Sequence, residues 1–593
     1  MAFQQLTKEQ AKEEVKFLID KYNKIVETGK VKSYNEEMTK KDFILPLFKS
    51  LGWSVEDSNE VTAEEKISKK RVDYSFRING IPKFFLEAKS LKEDLNNPKF
   101  VEQAINYAWH KGCTWAVLTD FESVRIFNAE WKTSNPLQSH LKTITCREFL
   151  DRFNELWLLS RESFENELID KEAEKWGKKT KKTSVDKQLL EDFTRFRELL
   201  SKNITKLNQS KNITEEDLDE SIQRILDRLI FIRNCEDREI EAKTLISSVR
   251  EWESNGSGQL IKSLREVFTY FDKQYNSKIF GNHLCDVLDI ENDVLHEIIE
   301  GLYYTKDRSV SYDFSAIEAD VLGNIYEQYL GHILKKSEKR AKLTENHAHR
   351  KEQGIYYTPT YIVDYIVRNT LGELLKDKKV DAEKIRVLDP ACGSGSFLIK
   401  AFDVLNEYYN KKENYEQKTF GEDNTTYSTK EKILKNNIFG VDLDKQAVEI
   451  AQLNLLLKIA ERGHRLPLLQ QNIQNGNSLI DDPNIAEDKA FNWDDKFKQI
   501  MNEGGFDVII GNPPYVDIKQ LDPKIVKYFF GKYSTVENRM NLYAVFVERS
   551  LSLLKAGGYF GFIIPNSILY NESYQKIRAL LLDNVTLRKI IRL

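Results

Sequence analysis

The chain has 593 residues, and its 89 lysines and arginines against 93 aspartates and glutamates leave a formal net charge of −4. This length suggests about three or four domains, and the balanced charge excludes a globally basic protein, so any nucleic-acid binding needs local basic patches. The N-terminus shows no signal peptide, no apolar run approaches transmembrane length, and the five cysteines lack CxxC or metal-ligand spacing. These features predict a cytoplasmic protein with reduced thiols and no membrane partner.

Residues 1–150 are predicted to form an α/β domain around a β-hairpin. A strictly alternating segment that contains Asp73 leads to the strong turn signal Asn79-Gly80, and a return strand follows. Side chains alternate along a strand, so Glu87 and Lys89 share one face, to which the hairpin can bring Asp73. Two carboxylates can hold a hard cation such as Mg²⁺, and a lysine beside them can orient or deprotonate a water or offset phosphate charge.

The pattern of aspartate, thirteen residues and Glu-x-Lys resembles the PD-(D/E)XK nuclease superfamily. Gln103 and Tyr107, four residues apart on one helical face, resemble the nuclease domains of type I restriction subunits and of fused restriction–modification enzymes. That resemblance implies Asp73, Glu87 and Lys89 as catalytic residues. It also implies a metal-holding glutamate before an upstream helix that ends near Trp53, where Glu36 and Glu37 both fit and Glu36 is favoured. The alternative is an α/β domain whose exposed acids and lysine have no function.

Residues 151–345 are predicted to be almost entirely helical, because apolar residues recur at helical spacing. The lysine run at 178–182 is expected to be a solvated loop, with contact to DNA phosphates as the alternative. Residues 321–330 resemble the helix that precedes the catalytic domain in fused and type I modification subunits. This resemblance implies an all-helical connector that couples the two ends of the chain.

Two predicted strands of the C-terminal part end in ligand-binding signals. The strand 385–390 runs into a loop of small residues and a helix, an arrangement that lets a ligand approach the backbone at a helix N-terminus. The glycine spacing in this loop differs from the dinucleotide-binding fingerprint, and no Walker lysine follows the loop. The strand 438–444 has an acidic end, where the Asp442 carboxylate can accept hydrogen bonds from ribose hydroxyls. The polar residues 409–430 are predicted to be a loop inserted between these two motifs.

A third predicted strand, 506–510, leads into Gly511 and the turn Asn512-Pro513-Pro514-Tyr515. The Asn512 side-chain oxygen and the Pro513 carbonyl can both accept hydrogen bonds from an exocyclic amino group, and Tyr515 can stack on the ring that carries it. Such a turn would hold an adenine flipped out of DNA. The alternative is an ordinary tight turn, because asparagine and proline favour turns.

The order of these motifs over residues 346–593 resembles the gamma class of S-adenosylmethionine-dependent amino-methyltransferases. The resemblance implies a Rossmann-like domain, catalysis by the residues of the 512–515 turn, and methylation of adenine N6, with cytosine N4 as the less favoured acceptor. Many relatives have an aspartate at position 477, so an uncharged asparagine there is expected to hold the cofactor's adenine amino group more weakly. The residues implied in cofactor binding are Tyr357, Thr358, Pro359, Asp389, Pro390, Ala391, Gly393, Gly395, Asp442 and Asn477.

Nuclease, connector and methyltransferase in this order resemble the type IIG restriction–modification enzymes. The resemblance implies an α/β multidomain protein that uses S-adenosylmethionine and Mg²⁺ on double-stranded DNA. Residues 588–593 are predicted to be a strand inside the catalytic sheet, and the family continues into a target-recognition domain. We therefore expect a truncated sequence or a separate specificity subunit. Two alternatives are a methyltransferase with an inactive nuclease-like domain and a non-enzymatic DNA-binding scaffold.

Overall fold

The computed structural model describes residues 7–592 with short gaps, and within these the chain forms two compact units. Residues 1–192 and 301–318 form the N-terminal unit, and residues 193–300 and 319–593 form the C-terminal unit. The three domains expected from the sequence, with boundaries at 150 and 345, remain a prediction. The gaps are residues 59, 68–69, 79–80, 92, 112, 130–138, 176–184, 256–257, 276–278, 307, 309–310, 316, 318–331, 338–339, 346–357, 418–425 and 538–539.

The N-terminal unit is built on a six-stranded sheet in the order β1-β2-β3-β4-β5-β6. Neighbouring strands are antiparallel except β3 and β4, which are parallel and are joined through the helix Pro98–His110. The predicted hairpin is confirmed, with Tyr74 opposite Leu86, although its Asn79-Gly80 turn lies outside the described residues. The strands are β1 Val61–Ile67, β2 Lys70–Ile78, β3 Ile81–Ala88, β4 Trp115–Thr119, β5 Ser123–Asn128 and β6 His140–Thr145.

Short helices complete this unit and cover one face of the sheet with aromatic side chains. The Phe76 and Phe84 rings stack with centroids 4.4 Å apart, and the Trp53 ring packs edge-on against both. The Trp53 indole donates a hydrogen bond to the Leu159 carbonyl, so this ring also ties the 3-10 helix Trp157–Leu159 to the core. The helices are Lys8–Glu27, Glu36–Thr39, Leu45–Ser50, Pro98–His110, Phe153–Leu156, Arg161–Glu165 and Leu168–Lys175, with a π-helical turn at Lys40–Ile44.

The middle of the chain is mostly helical, as its apolar spacing predicts, but it ends in a β-hairpin. Strands β7 His332–Ser337 and β8 Arg340–Glu345 pair antiparallel, so the expectation of helix is wrong there. This segment lacks apolar residues at helical spacing, and its two halves satisfy each other's backbone groups instead. The predicted lysine loop at 178–182 and the predicted helix at 321–330 both lie outside the described residues. The helices are Val185–Leu207, Glu215–Asp237, Leu245–Asn255, Leu260–Tyr275 and Asn292–Tyr303.

The C-terminal unit carries a five-stranded, all-parallel sheet in the order β11-β10-β9-β12-β13. This confirms the Rossmann-like α/β prediction. The strand order reverses between β9 and β12, and ligands of such sheets bind at the carboxyl edge where that reversal occurs. The strands are β9 Val387–Asp389, β10 Ile438–Asp442, β11 Ile473–Asn475, β12 Phe506–Gly511 and β13 Leu554–Phe562. The helices are Thr360–Leu374, Ser396–Gln417, Tyr427–Asn437, Lys445–Ile459, Pro483–Ala486, Trp493–Lys496, Lys498–Asn502, Pro523–Lys532, Leu542–Leu553 and Gln575–Asn584.

The loop predicted at 409–430 is wrong at both of its ends. The helix that begins at Ser396 continues to Gln417, and another helix begins at Tyr427, where the Thr426 side chain accepts the Thr429 amide as an N-cap. Polar composition misleads here because a helix on a solvated surface needs no continuous apolar stripe.

The strand predicted at 588–593 is also wrong, because the described residues there belong to no sheet. Instead the Arg588 guanidinium lies 4.9 Å from the centre of the Tyr559 ring, and the Lys589 ammonium donates to the Asn369 side chain. Isoleucine-rich segments become strands only where a neighbouring strand offers backbone partners. Among the described helices, none combines the length and the apolar character needed to cross a bilayer.

We predict that Phe84→Ala destabilises the N-terminal unit by about 3–5 kcal/mol, because it removes a fully buried ring that stacks on Phe76. Hydrogen exchange of β2–β4 amides with increasing urea measures this change. The control is Phe17→Ala, whose ring is 67% exposed and which should change stability by less than about 0.5 kcal/mol. Equal effects of the two substitutions would contradict the assigned core.

Candidate active sites

The loop after β9 forms a cradle of backbone groups at the start of a helix. The Asp389 side chain is buried, and its Oδ1 accepts the Ala391 amide at 3.0 Å. Gly393 and Gly395 adopt φ angles of +51° and +89°, a region that favours glycine. A Cβ on Gly395 would lie 3.1 Å from the Cβ of Ala451, so the loop also needs a small residue for close packing. This geometry is compatible with the predicted approach of a ligand to the loop.

Asp442, at the end of β10, joins its strand to this loop. Its Oδ2 accepts the Gly393 amide at 2.8 Å, and its Oδ1 accepts the Asp444 amide at 2.9 Å. Desolvation raises the pKa of Asp442 to about 6, against the lowering effect of these backbone donors. Each carboxylate oxygen carries two lone pairs, so both can still accept from hydroxyl groups. The geometry is compatible with the predicted ribose contact.

Asn477 is held by its own turn. Its Oδ1 accepts the Leu479 amide at 3.1 Å, and its backbone amide donates to the Lys489 carbonyl at 2.7 Å. The next residue, Ser478, donates to the Pro390 carbonyl at 2.5 Å, which ties this turn to the loop after β9. A cofactor adenine would therefore share an amide oxygen that already accepts a hydrogen bond.

The turn after β12 lies against the loop after β9. A Cβ on Gly511 would lie 2.6 Å from Asp389 Oδ1, so glycine is required for this approach. The Asn512 Nδ2 donates to the Thr358 Oγ1 at 2.9 Å, and Pro359 precedes the helix Thr360–Leu374. Because the amide nitrogen faces Thr358, the amide oxygen faces away from it. Tyr357, predicted to lie with these residues, is outside the described part of the chain.

The aromatic residue of the turn is fixed by two contacts. The Tyr515 hydroxyl donates to the Ile563 carbonyl at 2.9 Å, and its ring packs edge-to-face on Tyr543 with centroids 6.0 Å apart. Pro513 is buried and Pro514 is half-buried, so both hold the turn. No role was predicted from the sequence for Tyr543, which supports the Tyr515 ring. The motif Asn-Leu-Tyr-Ala at 541–544 is the sequence signal that could have pointed to this role.

The nuclease residues predicted on β2 and β3 come together. Asp73 Oδ2 accepts the Ala88 amide at 2.7 Å, which places the aspartate beside Glu87 across the hairpin. Glu87 is 3% exposed, and its Oε1 accepts from Lys89 Nζ at 2.5 Å and from Gln103 Nε2 at 2.8 Å. Tyr107, one helical turn after Gln103, packs edge-to-face on Phe85 with centroids 4.9 Å apart.

The electrostatics of this pair favour a bound cation. Desolvation, followed by the charge of Asp73, raises the pKa of Glu87 to about 7 against the lowering effect of Lys89. Desolvation also raises the pKa of Asp73. Glu87 Oε2 is buried, and no group in the described part of the chain donates to it. A buried carboxylate oxygen in that state suits a hard cation. These residues fit Mg²⁺, although the described side chains form no ready-made group of three acidic, histidine or cysteine ligands.

A buried lysine that sequence reasoning missed links the third predicted ligand to this pair. The Lys40 side chain is 7% exposed, and its ammonium pairs with Asp73 Oδ1 and, at 2.7 Å, with Glu36 Oε1. Glu37 lies 3.2 Å from the same ammonium, but its side chain is 77% exposed. Of the two glutamates, Glu36 is the one whose charge acts on both Asp73 and Glu87. The only sequence signal was the four-residue spacing of Glu36 and Lys40 on one helix.

Three families match parts of the chain, and two of the matched segments overlap. Residues 58–135 match the type I restriction enzyme R protein N terminus, which spans Asp73, Glu87 and Gln103. Residues 378–474 match an RMKL-like methyltransferase domain, and residues 436–593 match the Eco57I restriction-modification methylase. Each predicted site thus lies inside a matched segment, apart from the residues before position 58 and at 357–359.

Similar proteins combine both activities in their names. The type II restriction enzyme and methyltransferase RM.Eco57I of Escherichia coli is 31% identical over 98% of this chain and 61% of its own length. A putative type II restriction enzyme and methyltransferase of Methanocaldococcus jannaschii is 24% identical over 64% of this chain and 48% of its own. The solved structure of the restriction-modification enzyme MmeI with DNA aligns at 17% identity and a TM-score of 0.45, covering 66% of this chain and 53% of MmeI.

The chain thus spans about three fifths of RM.Eco57I and about half of the archaeal relative. Over nearly all of its own length it aligns with a protein named as a type II restriction enzyme and methyltransferase. The chain is therefore similar along its length to that enzyme, and its matched segments are those of a type I restriction enzyme R protein N terminus and of a restriction-modification methylase.

Proposed function

We propose that this chain contains both catalytic parts of a restriction–modification enzyme, which methylates adenine N6 in a DNA sequence and cleaves DNA that lacks the methyl group. The observation that carries the proposal is the approach of the Asn512 turn to the loop of Asp389, where a side chain at position 511 would not fit. This approach supports the proposal of an amino-group acceptor beside a cofactor cradle at one sheet edge.

The methyl-transfer site works by positioning. S-adenosylmethionine, when bound, supplies an electrophilic methyl group. Asn512 is oriented by Thr358, so its amide oxygen can accept from the amino group together with the Pro513 carbonyl. Tyr515, fixed by Ile563 and Tyr543, offers a ring for a flipped base. No strong base is required before attack, because the amino nitrogen becomes positive only as the new bond forms, and holding the reactants in line supplies much of the acceleration.

The DNA-cleaving site works through paired charges. Mg²⁺, when bound, polarises the scissile phosphate and lowers the pKa of a bound water. Asp73 and Glu87 would hold the cation, with Glu36 as the third carboxylate. Gln103 keeps Glu87 in place, and Lys89, whose ammonium also lies 4.9 Å from the centre of the Phe100 ring, would orient the attacking water.

Double-stranded DNA is the proposed substrate of both sites. The proposed location of the protein is the cytoplasm. Sequence specificity is proposed to come from a target-recognition domain or a specificity subunit. One observation favours a second candidate, a methyltransferase with an inactive nuclease-like domain: the Lys40 ammonium already occupies the Glu36 and Asp73 carboxylates. A cleavage assay with Mg²⁺ on unmethylated DNA separates the two candidates.

We predict that Asn512→Ala lowers methyl transfer by on the order of 10²-fold or more, since it removes a positioned polar partner of the reacting group. Tyr515→Ala should cost roughly 1–3 kcal/mol through lost stacking, whereas Tyr515→Phe keeps the ring and should stay near the wild type. Tritiated methyl incorporation by the full-length protein measures transfer, and calorimetric titration with S-adenosylmethionine should show nearly normal cofactor affinity.

The matched control for Asn512 is Asn502→Ala, an exposed asparagine at the end of a helix remote from the turn. It should methylate at the wild-type rate. Wild-type methylation by Asn512→Ala would refute the acceptor assignment.

We predict that Glu87→Gln and Lys89→Met each abolish DNA cleavage but leave methylation intact, because both residues belong to the nuclease-like sheet and not to the parallel sheet. Cleavage of an unmethylated plasmid in Mg²⁺ and methyl incorporation are measured on the same preparations. Lys83→Met, a substitution on the same strand as Glu87, serves as the control and should cleave normally. If either active-site variant cuts as fast as the wild type, that residue is not part of the cleavage site.

A further inference from the structure

Lys40 is the most deeply buried lysine that contacts the nuclease site. Its ammonium lies between Glu36 Oε1, at 2.7 Å, and Asp73 Oδ1, while its side chain is only 7% exposed. It follows Glu36 by one helical turn, at the point where the helix passes into the π-helical turn Lys40–Ile44. A lysine is rarely buried unless it is paired, so these two ion pairs hold it there.

The oxygen atoms that Lys40 contacts are those a divalent cation needs. Asp73 Oδ2 accepts the Ala88 amide, and Asp73 Oδ1 is the oxygen that faces the lysine. Glu36 also presents its Oε1 to the same ammonium. A cation that bridges these two carboxylates would therefore have to take the position of the ammonium.

The charge count leads to the same conclusion. When all three are ionised, Glu36, Asp73 and Glu87 carry three negative charges, against two positive charges on the ammoniums of Lys40 and Lys89. Without the Lys40 ammonium, Asp73 and Glu36 would face each other without a cation between them, which is costly for partly buried carboxylates. A divalent cation can take over that neutralising role.

We propose that Lys40 is the resident counter-cation of this site, which holds the Glu36 and Asp73 carboxylates together until a divalent cation displaces its ammonium. The inference rests on the proposed function, since it takes these carboxylates as metal ligands. Lys40 is a positioning residue in this account. The affinity of the site for metal is set by competition with its ammonium, and the exposed Glu37 carboxylate, 3.2 Å away, can keep the displaced ammonium paired.

Calorimetric titration of the 593-residue chain with Ca²⁺, without DNA, tests the proposal. Lys40→Met removes the competing charge, so we expect the site to bind Ca²⁺ about tenfold more tightly than in the wild type, which corresponds to about 1.4 kcal/mol. Lys41→Met, the exposed neighbour, is the control and should leave the affinity unchanged. The Asp73→Asn variant should lose the Ca²⁺ binding at this site and keep any Ca²⁺ binding elsewhere on the chain. The difference from the wild type is therefore the binding that belongs to this site.

Thermal unfolding gives a second readout that does not depend on catalysis. In EDTA, Lys40→Met should melt below the wild type, and saturating Ca²⁺ should raise its melting temperature more than it raises that of the wild type. Lys40→Gln, which keeps a polar donor without the charge, should behave in the same direction and replaces Lys40→Met if that variant does not fold.

The outcomes separate this inference from the function on which it rests. If Asp73-dependent Ca²⁺ binding exists but both Lys40 variants bind no more tightly than the wild type, Lys40 is not the competing cation. A melting temperature lowered equally with and without Ca²⁺ would likewise show a purely structural lysine. If the wild type shows no Asp73-dependent binding, the proposed metal site itself fails, and the inference fails with it.

Discussion

The close approach of β12 to Asp389 is the constraint on which the methyltransferase part depends. Parallel strands end at one edge of their sheet, and the order reverses between β9 and β12. The backbone at Gly511 comes so near the Asp389 carboxylate that a Cβ there would lie 2.6 Å from Oδ1. This single contact brings the loop after β9 and the Asn512 turn together, and the hydrogen bond from Asn512 to Thr358 then adds the third segment.

Both sites use carboxylates that burial makes costly to ionise. Desolvation raises the pKa of Asp442 and of Glu87, and in each case specific donors oppose that effect. Around Asp442 the donors are backbone amides of Gly393 and Asp444, which fix the loop shape. Around Glu87 the donors are side chains, Lys89 and Gln103. Backbone donors thus fix the surroundings of Asp442, whereas side-chain donors fix those of Glu87.

Sequence reasoning predicted the residues whose positions follow from local periodicity. Alternation along β2 and β3 is sufficient to place Asp73, Glu87 and Lys89 on one side of a hairpin. The motifs that follow the apolar strands β9, β10 and β12 were equally informative, because parallel strands end at the same edge of their sheet. Lys40 was missed because its role arises only when a helix packs near the hairpin, which no local pattern shows.

The errors have related causes. The helix that begins at Tyr427 was taken for part of a loop because its surface position removes the apolar stripe. The apolar content of residues 588–593 predicts a strand, but the described residues there have no strand to pair with. The helical pattern before β7 and β8 likewise gives no sign that these two segments pair with each other. Tertiary pairing decides each of these cases.

The most direct test of the central claim is to sequence single DNA molecules after incubation with the full-length protein, S-adenosylmethionine and Mg²⁺. The readout records methylated adenines and strand breaks on the same molecules. If both catalytic sites act on one recognised sequence, methyl groups should appear at copies of that sequence. Strand breaks should appear at a fixed distance only from copies that lack the methyl group. Methylated copies without any breaks near the unmethylated ones, or breaks unrelated to the methylated sequence, would contradict the account.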